Sequence, residues 1–184
     1  MRSAEDIARH LIALASVDSE PTPITHLQVQ KLLYYARGWS LALHETPLFA
    51  GTFEAWTHGP AVRELYARFK AFGSTPIPAA EGHVDETLSA NERALVSWVW
   101  RRYGRFTAAA LREMTHREAP WRDARGALSS DAPSNAPISD QSLHAYFRSL
   151  AERERRFQDD DAVLAAAIKD ARSGWHSPFI GSTL

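Results

Sequence analysis

Eight histidines and 22 carboxylates give this chain the residue types for acid–base or metal chemistry, but their spacing assembles no site. Three histidines follow threonine, at His26, His58 and His116. No two histidines stand four apart, the pattern that puts two imidazoles on one helix face over a metal. The absence of cysteine excludes disulfides, thiolate zinc sites and cysteine nucleophiles. Neither a glycine-rich phosphate loop nor a Gly-x-Ser-x-Gly elbow occurs. A lone histidine at a helix boundary usually bonds backbone groups, because catalysis needs a second, oriented group beside it. No enzyme, cofactor or metal site is therefore expected. A hydrolase-like site built on His58 and His116 stays open as a third reading.

Two other residue classes bear on partners. Six tryptophans, Trp39, Trp56, Trp98, Trp100, Trp121 and Trp175, are many for 184 residues. Tryptophan fills cores and is also enriched at interface hot spots. Arg101, Arg102, Arg105 and Arg112 form a basic run, and Arg148, Arg153, Arg155 and Arg156 another. Glu113, Glu118, Glu152 and Glu154 are interleaved, which reads as a salt-bridged surface. Net charge is −1, with no overall excess to draw the chain to nucleic acid or an anionic membrane. No apolar run reaches the roughly 20 residues of a bilayer span, and the amino terminus has no signal-like apolar block. A cytoplasmic protein is expected.

The elements that position these residues are helical. Ser3/Asp6, Thr25/Gln28 and Ser89/Glu92 have the spacing of capping boxes, and Thr107 and Ser139 of helix caps. The helix from Thr25 carries one apolar line, Val29, Leu32, Leu33, Ala36, Ser40 and Leu43. A second line, Leu27, Tyr34 and Leu41, lies about 160° away at about 100° per residue. A third, Gln28, Lys31, Tyr35, Gly38 and Ala42, runs between them, its small residues suited to close approach. A surface helix has one apolar stripe, so this one needs a second covering layer or a partner. Phe53–Trp56 reads as extended, Pro60 as the first residue of the next helix, and Gly126–Pro137 as a mobile loop. A last helix over Ala162–Arg172 follows Asp159, Asp160 and Asp161. The fold expected is mainly α: a compact single-domain bundle of six to seven helices with one short two-stranded β element near 53–56 and 76–79.

An ordered set of motifs carries a family resemblance. Val29-Gln30-Lys31-Leu32-Leu33-Tyr34-Tyr35-Ala36-Arg37-Gly38-Trp39 is followed by Pro47-Leu48-Phe49 and by Glu54-Ala55-Trp56-Thr57-His58-Gly59-Pro60-Ala61-Val62. Tyr103-Gly104, Leu111, Thr115-His116, Pro120-Trp121, Ile138 and Tyr146-Phe147 come next in order. The sequence resembles the Panacea antitoxin domain family, which includes SocA-type antitoxins and phage-associated GepA-like proteins. The resemblance gives domain bounds of 1–150, with 151–184 as a C-terminal helix and tail. It implies an antitoxin that binds a cognate toxin directly, in a family paired with very diverse toxins. It also implies a proteolytic adaptor delivering the toxin to ClpXP. Glu45-Thr46 stands where relatives often carry a glycine turn.

The motif residues Leu32, Leu33, Trp39, Trp56, His58, Gly59, Pro60, Thr115, His116, Pro120 and Trp121 are read as structural. Leu27, Lys31, Tyr34, Tyr35 and Leu41, with Trp175 and Phe179 in the tail, are the candidate toxin contacts. The alternative function is a DNA-binding autorepressor using Arg101 and Arg102.

Overall fold

A computed structural model describes residues 2–18, 23–79 and 88–155. The chain divides into two compact units, Met1–Arg148 and Ser149–Leu184. The described residues of the second, 149–155, are helical. Trp175, Phe179 and the expected last helix lie outside the described residues.

The first unit runs α1 (Ala4–Val17), α2 (His26–His44), β1 (Phe53–Trp56), β2 (Gly59–Val62) and α3 (Arg63–Phe69) with a 3-10 turn at Lys70–Phe72. Then come α4 (Ala90–Tyr103), α5 (Ala108–Arg117), α6 (Ala119–Arg125), β3 (Pro137–Ile138) and a helix α7 from residue 140. The architecture is mainly helical with a small antiparallel sheet of strand order β2-β1-β3. No helix among the described residues is long and apolar enough to cross a membrane.

The caps fold as their spacing predicts. Ser3 with Asp6, Thr25 with Gln28, and Ser89 with Glu92 each exchange two bonds, satisfying two otherwise orphaned backbone donors per helix start. Thr107 Oγ1 accepts from the Ala110 N–H and Ser139 Oγ from the Ser142 N–H. The α2 helix ends at Glu45 in left-handed backbone, φ 58° and ψ 17°, the conformation a glycine adopts without steric cost.

The two apolar stripes of α2 have one explanation: α2 is the central helix. It is buried continuously from Gln28 to Leu41, and α1, α3, α4, α5 and β2 all pack on it. A helix wrapped on every side needs apolar residues on more than one face, and its buried Gln30, Lys31 and Arg37 bond backbone carbonyls. Tyr34 lies edge-on to Tyr35, Phe53 and Phe147 at centroid distances of 5.4, 5.8 and 5.6 Å. The Phe147 ring covers Gly38 so closely that a Cβ there would stand 2.2 Å from it. The ends of the two lines depart: Leu43 is exposed and Leu27 half-buried.

Three expectations are corrected. Pro60 sits inside β2, paired with Ala55, and α3 begins at Arg63. β2 is an edge strand, where a residue without an N–H is tolerated. Residues near 76 do not pair with β1; Thr25 and Pro76 form an isolated bridge, and the third strand is Pro137–Ile138. The Gly126–Pro137 loop is tied down: Arg125 Nη2 donates to the carbonyls of Ser129 and Ala132, both at 2.6 Å, and Thr57 Oγ1 donates to Ala132 at 3.2 Å.

The unpaired side of β2 finds a substitute strand. Gln30 Nε2 donates to the Val62 carbonyl at 3.2 Å and its Oε1 accepts from the Val62 N–H at 2.8 Å. The side-chain amide thus does what a neighbouring peptide would do. Gln30→Leu leaves both buried groups of Val62 unmatched and is expected to lower stability by about 2–4 kcal/mol, read from the urea unfolding midpoint. A loss below about 0.5 kcal/mol would show that water takes over the bonds.

Candidate functional site

The motif residues converge where α2, the β1–β2 hairpin, α5 and α6 meet. Lys31 lies on the side of α2 that faces the hairpin, 1% exposed, and its Nζ donates to the Pro60 carbonyl at 2.9 Å. Gly59 passes between Lys31 and Thr115: a Cβ on it would stand 2.7 Å from Lys31 Cε and 2.8 Å from Thr115 Oγ1. Burial, with the charge of Arg112 beside it, lowers the Lys31 ammonium to about 7.

From the other side α6 holds the hairpin. The Trp121 indole donates to the Trp56 carbonyl at 2.9 Å, and Arg125 Nη1 to the Ala55 carbonyl at 2.9 Å. Arg125 also lies 4.7 Å over the Trp121 ring, whose other contact is the His116 imidazole, stacked at 3.9 Å and 8°. Desolvation, then the neighbouring positive charge of Arg112, lower His116 to about 4. The imidazole is thus neutral through physiological pH and packs as a flat ring.

Glu118 is shared by the end of α5 and the start of α6, and it is buried. Its Oε1 accepts from the Tyr35 hydroxyl at 3.0 Å. Tyr34 couples to the same carboxyl, though neither its hydroxyl nor Oε2 of Glu118 completes a well-formed bond. Burial raises Glu118 to about 7, against the pull of the two tyrosines. Tyr35 itself stacks on Tyr103 at 4.0 Å, and the Tyr103 hydroxyl accepts from the Trp39 indole at 3.0 Å.

The structure therefore brings together Lys31, Tyr34, Tyr35, Trp56, Gly59, Pro60, Thr115, His116, Pro120 and Trp121. Leu32, Leu33 and Trp39 lie in the adjoining core. Of the candidate contacts on α2, the structure places Tyr34 and Leu41, with Lys31 and Tyr35 beside them, inside the unit. All four are buried, because the rest of the unit wraps α2, and Leu27 is half-buried. His58 is exposed in the hairpin turn and takes no part in the bonds that hold the cluster together. His58 and His116 therefore do not form a dyad here, and no metal-binding group of histidines and carboxylates gathers among the described residues.

Gln30, Glu118 and Arg125 are the residues that sequence reasoning missed. Their common signal is a polar side chain inside or directly beside an apolar motif. Such a residue is worth reading as a buried bond-maker before it is read as surface. The arrangement is a frame: the buried donors of Lys31, Trp121 and Arg125 go to backbone carbonyls of one hairpin and hold it against α2 and α6.

Known proteins place this frame. The model of the antitoxin SocA-like Panacea domain family matches residues 29–122, just over half of the chain. The chain is similar to Antitoxin SocA of Caulobacter vibrioides (strain NA1000 / CB15N), 47% identical over 51 residues. That match covers 28% of this chain and 27% of the relative, so it spans about a quarter of the relative's length. No solved structure matches the chain significantly. The matched segment begins at the first motif of α2 and ends in α6, the elements that build the frame. The chain belongs to the SocA-like Panacea antitoxin family.

Proposed function

We propose that this protein is an antitoxin that neutralises a cognate toxin in the cytoplasm by direct protein–protein binding, without a cofactor. The observation that carries the reading is that the family match falls on a buried frame. Its motif residues bond to backbone of the same chain, which makes the matched segment a scaffold and leaves recognition to its outer surface. A scaffold of this kind suits recognition of different proteins better than shared chemistry on one substrate. A stable complex should bury on the order of 1,600 Å² in total. Delivery of the bound toxin to ClpXP belongs to the same proposal.

The test begins with the neighbouring gene. Its product, induced alone, is expected to arrest growth; co-expression of this chain should restore growth and yield a complex of fixed stoichiometry on size exclusion. Rescue without a complex, or no toxicity to rescue, would sink the reading. If delivery operates, the toxin's half-life shortens when this chain is present and recovers when ClpX is absent. An unchanged half-life removes that part and leaves neutralisation by binding.

A further inference from the structure

Residues 101–125 hold seven of the chain's 21 basic residues but only three carboxylates, which leaves the remainder of the chain at −5. Two charges of the stretch are turned inward: Glu118 is bonded to Tyr35, and Arg125 to the carbonyls of Ala55, Ser129 and Ala132. Its surface keeps six arginines against Glu113 and Asp123. Glu113 pairs with Arg112 across one peptide, with side chains 57% and 35% exposed. Exposed Arg101, Arg105, Arg117 and Arg122 make no ion pair with any described residue.

These side chains are strung along the outward side of one continuous segment, the end of α4, the turn after it, α5 and α6. The inward side of that segment is fixed by Leu111, Thr115 and Trp121, all buried. Placement near helix C-termini explains why arginines are tolerated there, but not why their counter-charges are missing. In α5, Nε of Arg112 is shielded from solvent yet has no hydrogen-bond partner. Its charge acts on His116 more strongly than Glu113, which opposes it, and Lys31 and Arg125 add to Arg112 in favouring the neutral imidazole.

We infer that the exposed arginines of residues 101–125, Arg101, Arg105, Arg117 and Arg122, make this segment an electrostatic docking face for an acidic surface of the partner protein. The inference rests on the antitoxin reading, since it names the chemistry of that same partner. A protein is favoured over nucleic acid because a long polyanion would also meet the net −5 of the rest of the chain. A compact acidic patch meets only the face. Complementary charge chiefly raises the association rate, and does so less as salt rises.

The experiment uses the full chain and the toxic product of the neighbouring gene, with association rates measured at several salt concentrations. Arg101→Glu with Arg117→Glu and Arg122→Glu is compared with a triple of equal charge change elsewhere, Arg9→Glu, Arg68→Glu and Lys70→Glu. Native circular dichroism and unfolding midpoints confirm that both triples fold. Arg117→Gln with Arg122→Gln is the milder replacement if the first triple does not. The docking triple is expected to slow association at least tenfold at low salt and to flatten its salt dependence; the control triple should slow it less than threefold. Equal slowing by both triples, or none, overturns the inference while leaving the antitoxin reading intact. Failure of the unaltered chain to bind the toxic product overturns both. Binding of a mixed-sequence DNA duplex that the docking triple abolishes, with toxin association unchanged, reassigns the face to nucleic acid and overturns the inference.

Discussion

Gly59→Ala is expected to lower stability by roughly 3 kcal/mol or more. Two separate costs meet at this residue. Its φ is +92°, outside the range an L side chain adopts comfortably, which costs about 1–2 kcal/mol. The added carbon would also stand 2.7 Å from Lys31 Cε and 2.8 Å from Thr115 Oγ1. Neither neighbour yields easily. Lys31 is held by the Pro60 carbonyl and Thr115 by the Arg112 carbonyl at 2.9 Å. Crowding of this kind adds about 1–3 kcal/mol.

Gly73→Ala separates the two costs. Gly73 also has positive φ, +52°, but nothing lies within 4 Å of a Cβ built there. It should lose only the backbone part. In the Lys31→Ala background the extra cost of Gly59→Ala should shrink by more than about 0.5 kcal/mol, the coupling expected of residues in contact. Equal losses at Gly59 and Gly73 in urea unfolding would show that the hairpin is not clamped between α2 and α5. Since whole-protein stabilities are about 5–15 kcal/mol, the full loss would also be visible as a lower yield of neutralising protein.

What the sequence makes legible follows from how far each signal reaches. Capping boxes act over three residues, so Ser3, Thr25 and Ser89 mark their helix starts correctly. The two apolar lines of α2 report burial correctly but not what does the burying. Tyr34 in the core and Tyr34 in an interface have the same spacing; only the placement of Phe53 and Phe147, 19 and 113 residues onward, distinguishes them. Pro60 is misread because proline suits both a helix start and an edge strand, and Gln30, which makes this edge acceptable, is 30 residues away in sequence. Glu118 is misread because its neighbours Arg117 and Arg122 look like ion-pair partners, while its real partner, Tyr35, lies 83 residues back. The motifs locate the site; long-range pairing decides which of its side chains are inside.

Lys31 and Glu118 are each expected to put a pH-dependent limb on stability, and the two limbs meet near pH 7. Lys31 titrates at about 7 in the folded chain against 10.5 ordinarily. Between those values the unfolded chain holds a proton that the folded chain lacks, so stability rises with pH across that window. Glu118 titrates at about 7 against 4.5. Between 4.5 and 7 the folded chain holds a proton that the unfolded chain has lost, so stability falls as pH rises. Each limb is on the order of 3–5 kcal/mol at 1.36 kcal/mol per unit. His116, lowered to about 4 by burial and then by Arg112, works against the acid limb, because its unfolded form takes up a proton first. The readout is therefore the difference between variant and parent at each pH; His116 cancels from it for Glu118→Gln, and for Lys31→Met above about pH 7, where the imidazole is neutral in both folded and unfolded chain. Glu118→Gln keeps an acceptor for the Tyr35 hydroxyl and should remove the acid limb, with its gain growing from pH 4.5 to 7. Lys31→Met should remove the alkaline limb. At pH 7 its gain is reduced by about 1–3 kcal/mol, since the Pro60 carbonyl loses its donor; above pH 10 only that loss remains. The two groups are buried independently: Arg112 is the charge that acts on Lys31, and the two tyrosines act on Glu118. Their effects should then add within about 0.5 kcal/mol in the double variant. A flat difference for either variant would show that its group reaches solvent, and that the hairpin is held by packing and backbone bonds alone.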